Sequence, residues 1–271
     1  MYNCHSHTSF SADSTESIYN VINAGINANL KGLAITDHAC LLSYIEDDSF
    51  NQLSKCREVV LQEKQRLKDK INLFFGIEIS ENLQCPKEAD ILLAFKDIDL
   101  ILTSIHASPL KNNKQFQYYS KQNYATYTTE EIDYFVDYYF DALLQTASCC
   151  DYDILAHLTL PIRYLNRFGV EYNLDRKEKV IIDILSTVIK RKKALEVNTS
   201  TFKVDKTFIP NDYYIKMFKS LGGKYITLGS DSHKAQFVDS GLSQGKELIK
   251  NCGFTEYYYY QNRKPVLAEK L

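Results

Sequence analysis

The run Leu73-Phe74-Phe75-Gly76-Ile77-Glu78 is apolar over five residues and ends in a carboxylate. A carboxylate at the end of so apolar a run is costly without a partner, so we predict that Glu78 faces a binding site. A short apolar run that ends in a ligand candidate occurs at seven places in the chain. The predicted strands are Met1–His5, Gly32–Thr36, Ile71–Glu78, Asp99–His106, Asp153–His157, Ala194–Asn198 and Lys224–Ser230.

Helix-like stretches lie between these strands, at about 15–29, 50–69, 128–148, 175–192, 211–221 and 240–251. Strands that alternate with helices predict parallel βαβ units. An open sheet would spread the strand ends along an edge, whereas a closed barrel gathers them on one face. Because nearly all ligand candidates lie at such ends, the pattern favours an α/β barrel. No linker or repeat divides the chain, so we expect residues 1–271 to form a single domain.

Helix ends are predicted from capping residues. Ser14 or Thr15 can cap the first helix, and Thr128 or Thr129 followed by two glutamates can open the third. The basic run at 190–193 is expected to end an exposed helix, where positive charge complements the helix dipole. The tyrosine run at 257–260 is expected to form an edge strand.

Composition limits the possible partners. Apolar residues make up 45% of the chain and charged residues 24%, with a net charge of −2 and a pI of about 6.3. This balance gives no basic field for nucleic acid, so we expect no nucleic-acid partner. No long apolar span indicates a membrane partner. The seven cysteines show no C-x-x-C spacing, which argues against a thiolate zinc site. An odd cysteine count without a signal peptide fits the cytoplasm.

Every histidine of the chain falls in a short motif that holds a carboxylate or ends an apolar run. His5 and His7 are two apart, so in an extended segment both point to one face, with their Cα atoms roughly 6.5 Å apart. Asp231 and His233 repeat this geometry near the other end. Imidazole and carboxylate are ligands for Zn²⁺, Mn²⁺ and Fe²⁺. The metal-ligand candidates are His5, His7, Asp13, His38, Glu78, His106, His157, Asp231 and His233.

Several candidates have a second interpretation. Asp13 could instead cap a helix or a turn. Asp37 neighbours His38 and cannot share its face in a strand, so we predict an orienting or structural role for it. Arg163 is either a bidentate phosphate clamp or part of a surface ion pair. Asn198 either hydrogen-bonds substrate or caps a turn, and the polar, tyrosine-rich segment 107–127 is a candidate wall of the substrate pocket.

In order and spacing, these motifs resemble the PHP (polymerase and histidinol phosphatase) superfamily. The resemblance covers the whole chain. It rests on His5-x-His7, Asp13, Thr36-Asp37-His38, Gly76-x-Glu78, His106, His157 and Asp231-x-His233. The Ser104–His106 segment, His157 followed by Arg163-Tyr164, and Glu196–Ser200 are similar to the branch of monofunctional histidinol-phosphate phosphatases of histidine biosynthesis.

The resemblance implies a distorted (β/α)₇ barrel that holds three divalent ions, with zinc, manganese and iron all possible. By motif position, the first ion takes His5, His7, Glu78 and Asp231. The second shares Glu78 and adds His106 and His157, and the third takes Asp13, His38 and His233. Arg163 stands where the family holds phosphate.

The implied activity is hydrolysis of L-histidinol phosphate, a small-molecule phosphate ester. In the hypothesis, a hydroxide bridging the first two ions attacks phosphorus, with Glu78, Asp231 and Arg163 as the catalytic residues. Three ions bring about +6, while three carboxylates and a hydroxide bring about −4, and the remaining charge suits a phosphate dianion. Two alternatives stay open: a phosphatase for another ester, such as phosphotyrosine or a nucleotide, and a non-catalytic regulatory metal-binding module.

Overall fold

The computed structural model describes residues 1–111 and 115–271. Within them the strands are β1 Tyr2–Asn3, β2 Gly32–Ile35, β3 His38–Cys40, β4 Asn72–Ser80, β5 Leu100–Ser104, β6 Ala107–Pro109, β7 Phe116–Tyr118, β8 Ile154–Leu155, β9 Ala194–Asn198, β10 Ile226–Gly229, β11 Glu256–Gln261 and β12 Lys264–Lys270. The α-helices of the same residues are α1 Ile18–Asn27, α2 Ser49–Arg66, α3 Pro86–Leu93, α4 Thr129–Cys149, α5 Leu160–Arg167, α6 Glu178–Lys190, α7 Phe202–Asp205, α8 Asp212–Ser220 and α9 Leu242–Asn251.

Seven parallel strands form the barrel, in the order β1-β2-β4-β5-β8-β9-β10. The ring closes between its first and last strands, where Cys4 N donates to Leu228 O at 2.8 Å and Asp231 N donates to His5 O at 2.9 Å. A parallel bridge between Ser6 and Ser232 extends this closure. The predicted α/β barrel is therefore confirmed, and the carboxyl ends of its strands meet on one face.

Two apolar clusters hold the barrel together. The larger one lies between the strands and the surrounding helices. The smaller one fills the barrel interior with Cys4, Ala34, Phe74, Leu100, Leu102, Ile154, Ala156, Ala194 and Tyr260. Because the interior is packed with side chains, the barrel is a rigid support and not a channel.

The hairpin of β11 and β12 closes the amino-terminal end of the barrel. Its turn binds Asp99, which accepts from Asn262 N at 3.1 Å. Arg263 pairs there with Asp153 and with Asp151. The predicted tyrosine strand at 257–260 is confirmed as part of β11, and Tyr257, Tyr258 and Tyr260 are buried.

The predicted start of the first helix was wrong. Ser17 caps α1, because its side chain accepts from Asn20 N. The hydroxyl of Ser14 donates instead to His233 O at 3.1 Å. The capping prediction for the long helix α4 is confirmed, since Thr128 and Glu131 form a complete capping box. The basic run also ends a helix as predicted, with α6 finishing at Lys190.

Among the described helices, none combines the length and apolar character needed to cross a bilayer.

Candidate metal centre

All six histidine side chains of the chain meet at the carboxyl face of the barrel. Two backbone pairings bring these side chains close together. The bridge between Ser6 and Ser232 places the His5–His7 and Asp231–His233 segments side by side. Strand β3 pairs with β4 so that His38 lies opposite Glu78.

The predicted first set is assembled in the structure. His5 Nε2 lies 3.2 Å from Glu78 Oε2, and His7 Nε2 lies 3.3 Å from Asp231 Oδ1. Metal–ligand bonds of about 2.0–2.2 Å place neighbouring ligand atoms about 2.8–3.6 Å apart in octahedral or tetrahedral sites. The spacing of these donor atoms therefore fits one shared ion.

The predicted second set has the same spacing. His157 Nε2 lies 2.9 Å and His106 Nε2 lies 3.2 Å from Glu78 Oε1. The two imidazole nitrogens are 3.4 Å apart. Three mutually close lone-pair donors suit a common cation better than a set of hydrogen bonds, because each N–H can point at only one acceptor.

The predicted third set lies at the rim. His38 Nε2 and His233 Nε2 are 3.3 Å apart. Asp13 Oδ2 lies 3.5 Å from the first and 3.2 Å from the second. Unlike the other candidate ligands, Asp13 has a largely exposed side chain, 59% by relative area, so this set is the one most open to solvent.

Glu78 joins the three sets. Its Oε1 faces His106 and His157, while its Oε2 faces His5 and lies 2.9 Å from His38 Nδ1. Burial disfavours its charged form, but the nearby His5, His106 and His38 hold the pKa of this carboxyl well below its usual range. An ionised, buried Glu78 with both oxygens directed at imidazoles is placed to bridge two ions.

His7 provides a direct test of whether a cation fits. Its Nε2 atom is buried and makes no hydrogen bond within the described residues, although oxygens of Glu78 and Asp231 lie within 3.5 Å. Burial, together with the neighbouring His38 and His233, holds the pKa of His7 well below its usual range. A neutral imidazole with an unused buried nitrogen is the form that binds a metal.

Glu196 is a site residue that the motif analysis missed. It lies fully buried in β9, where its Oε1 is 2.6 Å from His5 Nδ1 and its Oε2 accepts from His157 N at 2.8 Å. It therefore holds one histidine of each of the first two sets. Strand alternation could have revealed it, since Glu196 and Asn198 are two residues apart and share a face.

Gly229 makes room for Glu196. A Cβ at this position would lie 2.1 Å from Glu196 Oε1 and 2.6 Å from His5 Cβ. Neither atom can retreat, because both belong to buried side chains that are hydrogen-bonded to each other. The absence of a side chain at position 229 is thus required for the His5–Glu196 contact.

Asn198 is buried behind the site. Its Nδ2 donates to Glu196 at 3.2 Å and to Asp231 at 3.4 Å. Its Oδ1 accepts from the backbone and the hydroxyl of Ser200. Asn198 does not line the cavity described below. The bond from Ser200 N closes a turn, as the capping interpretation expects, and contact with substrate stays a prediction.

Arg163 reaches the site from helix α5. Its Nη1 donates to Asp231 Oδ2 and to Ser200 Oγ, both at 3.0 Å, and its Nη2 donates to the Tyr164 hydroxyl at 3.1 Å. The Nε atom is buried and makes no hydrogen bond within the described residues. The three bonds to Asp231, Ser200 and Tyr164 fix the guanidinium in place and use three of its five N–H donors.

Two buried carboxylates shape the ligand-bearing loops. Asp37 accepts from Thr8 N at 2.6 Å and from Ser11 Oγ at 2.7 Å, which fixes the loop between His7 and Asp13. Glu81, which the sequence analysis did not single out, accepts from His106 N at 2.6 Å. Both residues act on the candidate ligands through the backbone.

The Cys40 thiol lies beside the candidate ligands, a neighbour that the sequence analysis did not single out. Its Sγ and nitrogens of His38 and His106 lie within 4.8 Å of one another. The C-x-x-C criterion could not detect it, because the thiol is brought to the histidines by the short strand β3 and not by a cysteine pair.

A cavity of about 310 Å³ opens over the centre. Its lining consists of Phe10, Ala12, Asp13, His38, Cys40, Ser43, Asp47, Ser49, His106, Tyr118, Ser120, Lys121, Arg163, Tyr164, Asp231 and His233. The segment 107–127 contributes three of these residues, in keeping with its expected place in the wall; its residues 112–114 lie outside the described part. The volume is at the lower end of the range of about 300–1,000 Å³ for small-molecule sites.

Comparison with known proteins gives a consistent likeness. Residues 3–200 match the PHP domain model. The chain is 27% identical over 263 residues to the histidinol-phosphatase of Lactococcus lactis subsp. lactis (strain IL1403), covering 96% of this chain and 94% of that protein. It is 26% identical over 274 residues to a probable histidinol-phosphatase of Clostridium acetobutylicum, covering 100% and 97%.

Solved structures show the same fold. A crystal structure of the histidinol phosphate phosphatase of Lactococcus lactis, in complex with zinc, L-histidinol and phosphate, superposes with a TM-score of 0.74 at 23% identity, over 98% of each chain. A putative histidinol phosphatase of Listeria monocytogenes superposes with a TM-score of 0.76 at 16% identity, over 90% of this chain and 99% of that one.

Proposed function

Since the chain belongs to the PHP domain family, we propose that it is a phosphomonoesterase that hydrolyses L-histidinol phosphate to L-histidinol and phosphate in histidine biosynthesis. Two relatives of nearly equal length carry the histidinol-phosphatase name, one of them as probable. The crystallised Lactococcus lactis protein binds L-histidinol and phosphate. We further propose that residues 1–271 act as a single catalytic domain in the cytoplasm.

The observation that carries the proposal is the arrangement around Glu78. Two donor sets with metal-ligand spacing share this carboxylate, and His38 Nδ1 of the third set lies 2.9 Å from it, at the floor of a cavity that also contains Arg163. A site that only stored metal would need neither an adjoining cavity nor a cation in its wall.

We propose that the centre holds three divalent ions in the sets described above. Nitrogen and oxygen donors accept zinc, manganese and iron alike. Zinc has direct support from the Lactococcus lactis structure, which contains it. When bound, such ions supply Lewis acidity, which activates water and neutralises phosphoryl charge.

The side chains themselves position the substrate. Arg163 lines the cavity, and its five N–H groups exceed the three hydrogen bonds that it makes to Asp231, Ser200 and Tyr164, so it can also donate to a phosphoryl oxygen. A fixed donor stabilises charge at phosphorus without reorganising during the reaction. Glu196 accepts a hydrogen bond from His5 Nδ1–H, which keeps the proton on Nδ1 and leaves Nε2 as the lone-pair donor.

A phosphate-release screen tests the proposed substrate. The metal-replete protein is assayed with L-histidinol phosphate, phosphotyrosine and a nucleoside monophosphate, and we expect the highest kcat/KM with the first. A higher kcat/KM with either of the others would replace the substrate but keep the reaction. Protein that binds metal and releases phosphate from none of them would be a regulatory metal-binding module.

A further inference from the structure

The cavity has a wall that the proposed chemistry does not use. Ser43, Asp47 and Tyr118 line it, and we name these three residues the Asp47 wall. Two of them come from the connection between β3 and α2, and the third ends strand β7.

Hydrogen bonds hold the Asp47 wall in one arrangement. The Tyr118 hydroxyl donates to Ser43 Oγ at 2.9 Å. Ser43 Oγ in turn donates to Asp47 Oδ2. These two hydrogen bonds occupy Oδ2 of Asp47 and fix the orientation of its carboxylate within the cavity wall. A carboxylate held in this way can accept a hydrogen bond from a ligand with little further loss of side-chain entropy.

Asp47 also differs from the other carboxylates that line the cavity. Three carboxylates line the cavity, and the other two, Asp13 and Asp231, belong to the proposed metal-ligand sets. Within residues 1–111 and 115–271, no basic side chain forms an ion pair with Asp47. Lys121 lines the same cavity, but its ammonium lies over the Tyr118 ring, 5.4 Å from the ring centre, and forms no ion pair with Asp47. A negative charge that no basic side chain of the described residues pairs with thus faces the cavity, at a place where metal is not expected.

The two charged features of the cavity match a substrate with two opposite charges. Arg163 and the metal-ligand sets attract a phosphate, whereas Asp47 attracts a cation. L-Histidinol phosphate carries a primary ammonium in addition to its phosphate. Amines remain charged at pH 8, where an imidazole is mostly neutral. The ammonium is therefore the better match for a carboxylate at the assay pH.

We propose that Asp47, oriented by Ser43 and Tyr118, binds the ammonium group of the substrate and selects phosphate monoesters that carry an amine. The inference rests on the proposed phosphatase function and adds a specificity-determining residue to it.

The test compares esters with and without the amine at pH 8. The substrates are L-histidinol phosphate, phosphoethanolamine, which has the amine without the ring, 3-(imidazol-4-yl)propyl phosphate, which has the ring without the amine, and propyl phosphate. For Asp47→Asn we expect KM to rise about 10-fold for the two amines, the lower end for losing a hydrogen bond to a charged group at a partly exposed site. We expect kcat to stay within about 2-fold, and KM for the other two esters to stay unchanged.

Asp48→Asn is the matched control. It makes the same charge change one residue away, on an exposed side chain that accepts from Asn51 outside the cavity. We expect it to leave KM unchanged for all four esters. Tyr118→Phe removes the hydrogen bond that orients Ser43, and we expect a smaller rise in KM for the amines alone.

The outcomes separate this inference from the proposed function. An Asp47→Asn variant that changes all four esters equally, or changes none, would overturn the inference while hydrolysis of histidinol phosphate stands. A larger effect on the ring-only ester than on phosphoethanolamine would also overturn it. Wild-type protein that ignores histidinol phosphate, but hydrolyses phosphoethanolamine with an Asp47-dependent KM, would remove the proposed substrate and support the inference.

Discussion

Glu196→Gln is the substitution that best tests how the centre is positioned. The carboxylate accepts three hydrogen bonds, from His5 Nδ1 at 2.6 Å, His157 N at 2.8 Å and Asn198 Nδ2 at 3.2 Å. One oxygen serves His5, and the other serves the remaining two donors.

Glutamine has nearly the same shape but cannot satisfy both sides. If its oxygen faces His5, its amide group meets the N–H donors of His157 and Asn198. If it is flipped, the amide donates to His5 Nδ1 and forces the imidazole proton onto Nε2, the atom proposed to bind metal. Either orientation loses at least one buried hydrogen bond to a charged group.

The magnitude follows from that loss. A hydrogen bond to a charged group contributes about 1.5–3 kcal/mol. Since about 1.4 kcal/mol is a factor of ten in an equilibrium constant, we expect metal affinity to fall about 10- to 100-fold, the usual range for a residue that hydrogen-bonds the other ring nitrogen of a ligating histidine. Little of this loss should appear in kcat at saturating metal.

The assay is a metal titration against a chromophoric chelator, run beside activity as a function of free metal. Glu58→Gln is the matched control, because Glu58 is exposed on helix α2. The variant should need 10- to 100-fold more free metal for half-maximal activity. Identical binding and activity curves for Glu196→Gln, Glu58→Gln and wild type would show that Glu196 does not position His5.

Four further predictions follow from the same structure. Elemental analysis of active, chelator-free protein should return close to three divalent ions per chain, with activity lost on chelation; one ion or none would refute the three-ion centre. Glu78→Gln should lower kcat by roughly 10²-fold or more, the effect of losing a major electrostatic stabiliser, and near-normal turnover and metal content would make Glu78 only structural. Arg163→Ala should keep its metal, because Asp231 retains Asn198 as a partner, but its kcat/KM should fall by the equivalent of about 2–4 kcal/mol. Arg163→Lys should recover only part of this loss, because lysine keeps the charge but lacks the planar fork. Unchanged kcat/KM for the alanine variant would place the phosphate clamp elsewhere. Arg263→Met should lower the free energy of unfolding in urea by about 3 kcal/mol, because it leaves the buried Asp153 carboxylate without its arginine. The control is Arg176→Met, on a side chain that is 71% exposed. Equal urea midpoints for the two variants would contradict this prediction.

Short local features explain most of what could be predicted. Helices such as α4 were predicted well because they are long, periodic and capped by Thr128 and Glu131. Helices α3 and α5 were not predicted, since each has eight residues and too few turns to establish a period. The first cap was placed too early because Ser14 and Ser17 offer the same hydroxyl, and only packing decides which one ends up at the helix start.

The sequence by itself determined the α/β class and the nine metal-ligand candidates. Each of these depends on a period or a spacing within one short segment, and in parallel strands that spacing also dictates the end of the barrel at which a side chain emerges. Such information is local, so no other part of the chain is needed to read it.

The tertiary structure decided which oxygen of Glu78 faces which histidine, and that Asn198 donates to Glu196 and Asp231. It also decided the contacts of Glu196, the close approach at Gly229 and the place of Asp47 in the cavity wall. These arrangements depend on contacts between segments far apart in the chain, such as His5 with Glu196, 191 residues apart. The closing of β10 against β1 creates that contact, and packing across the barrel is a property that no single segment encodes.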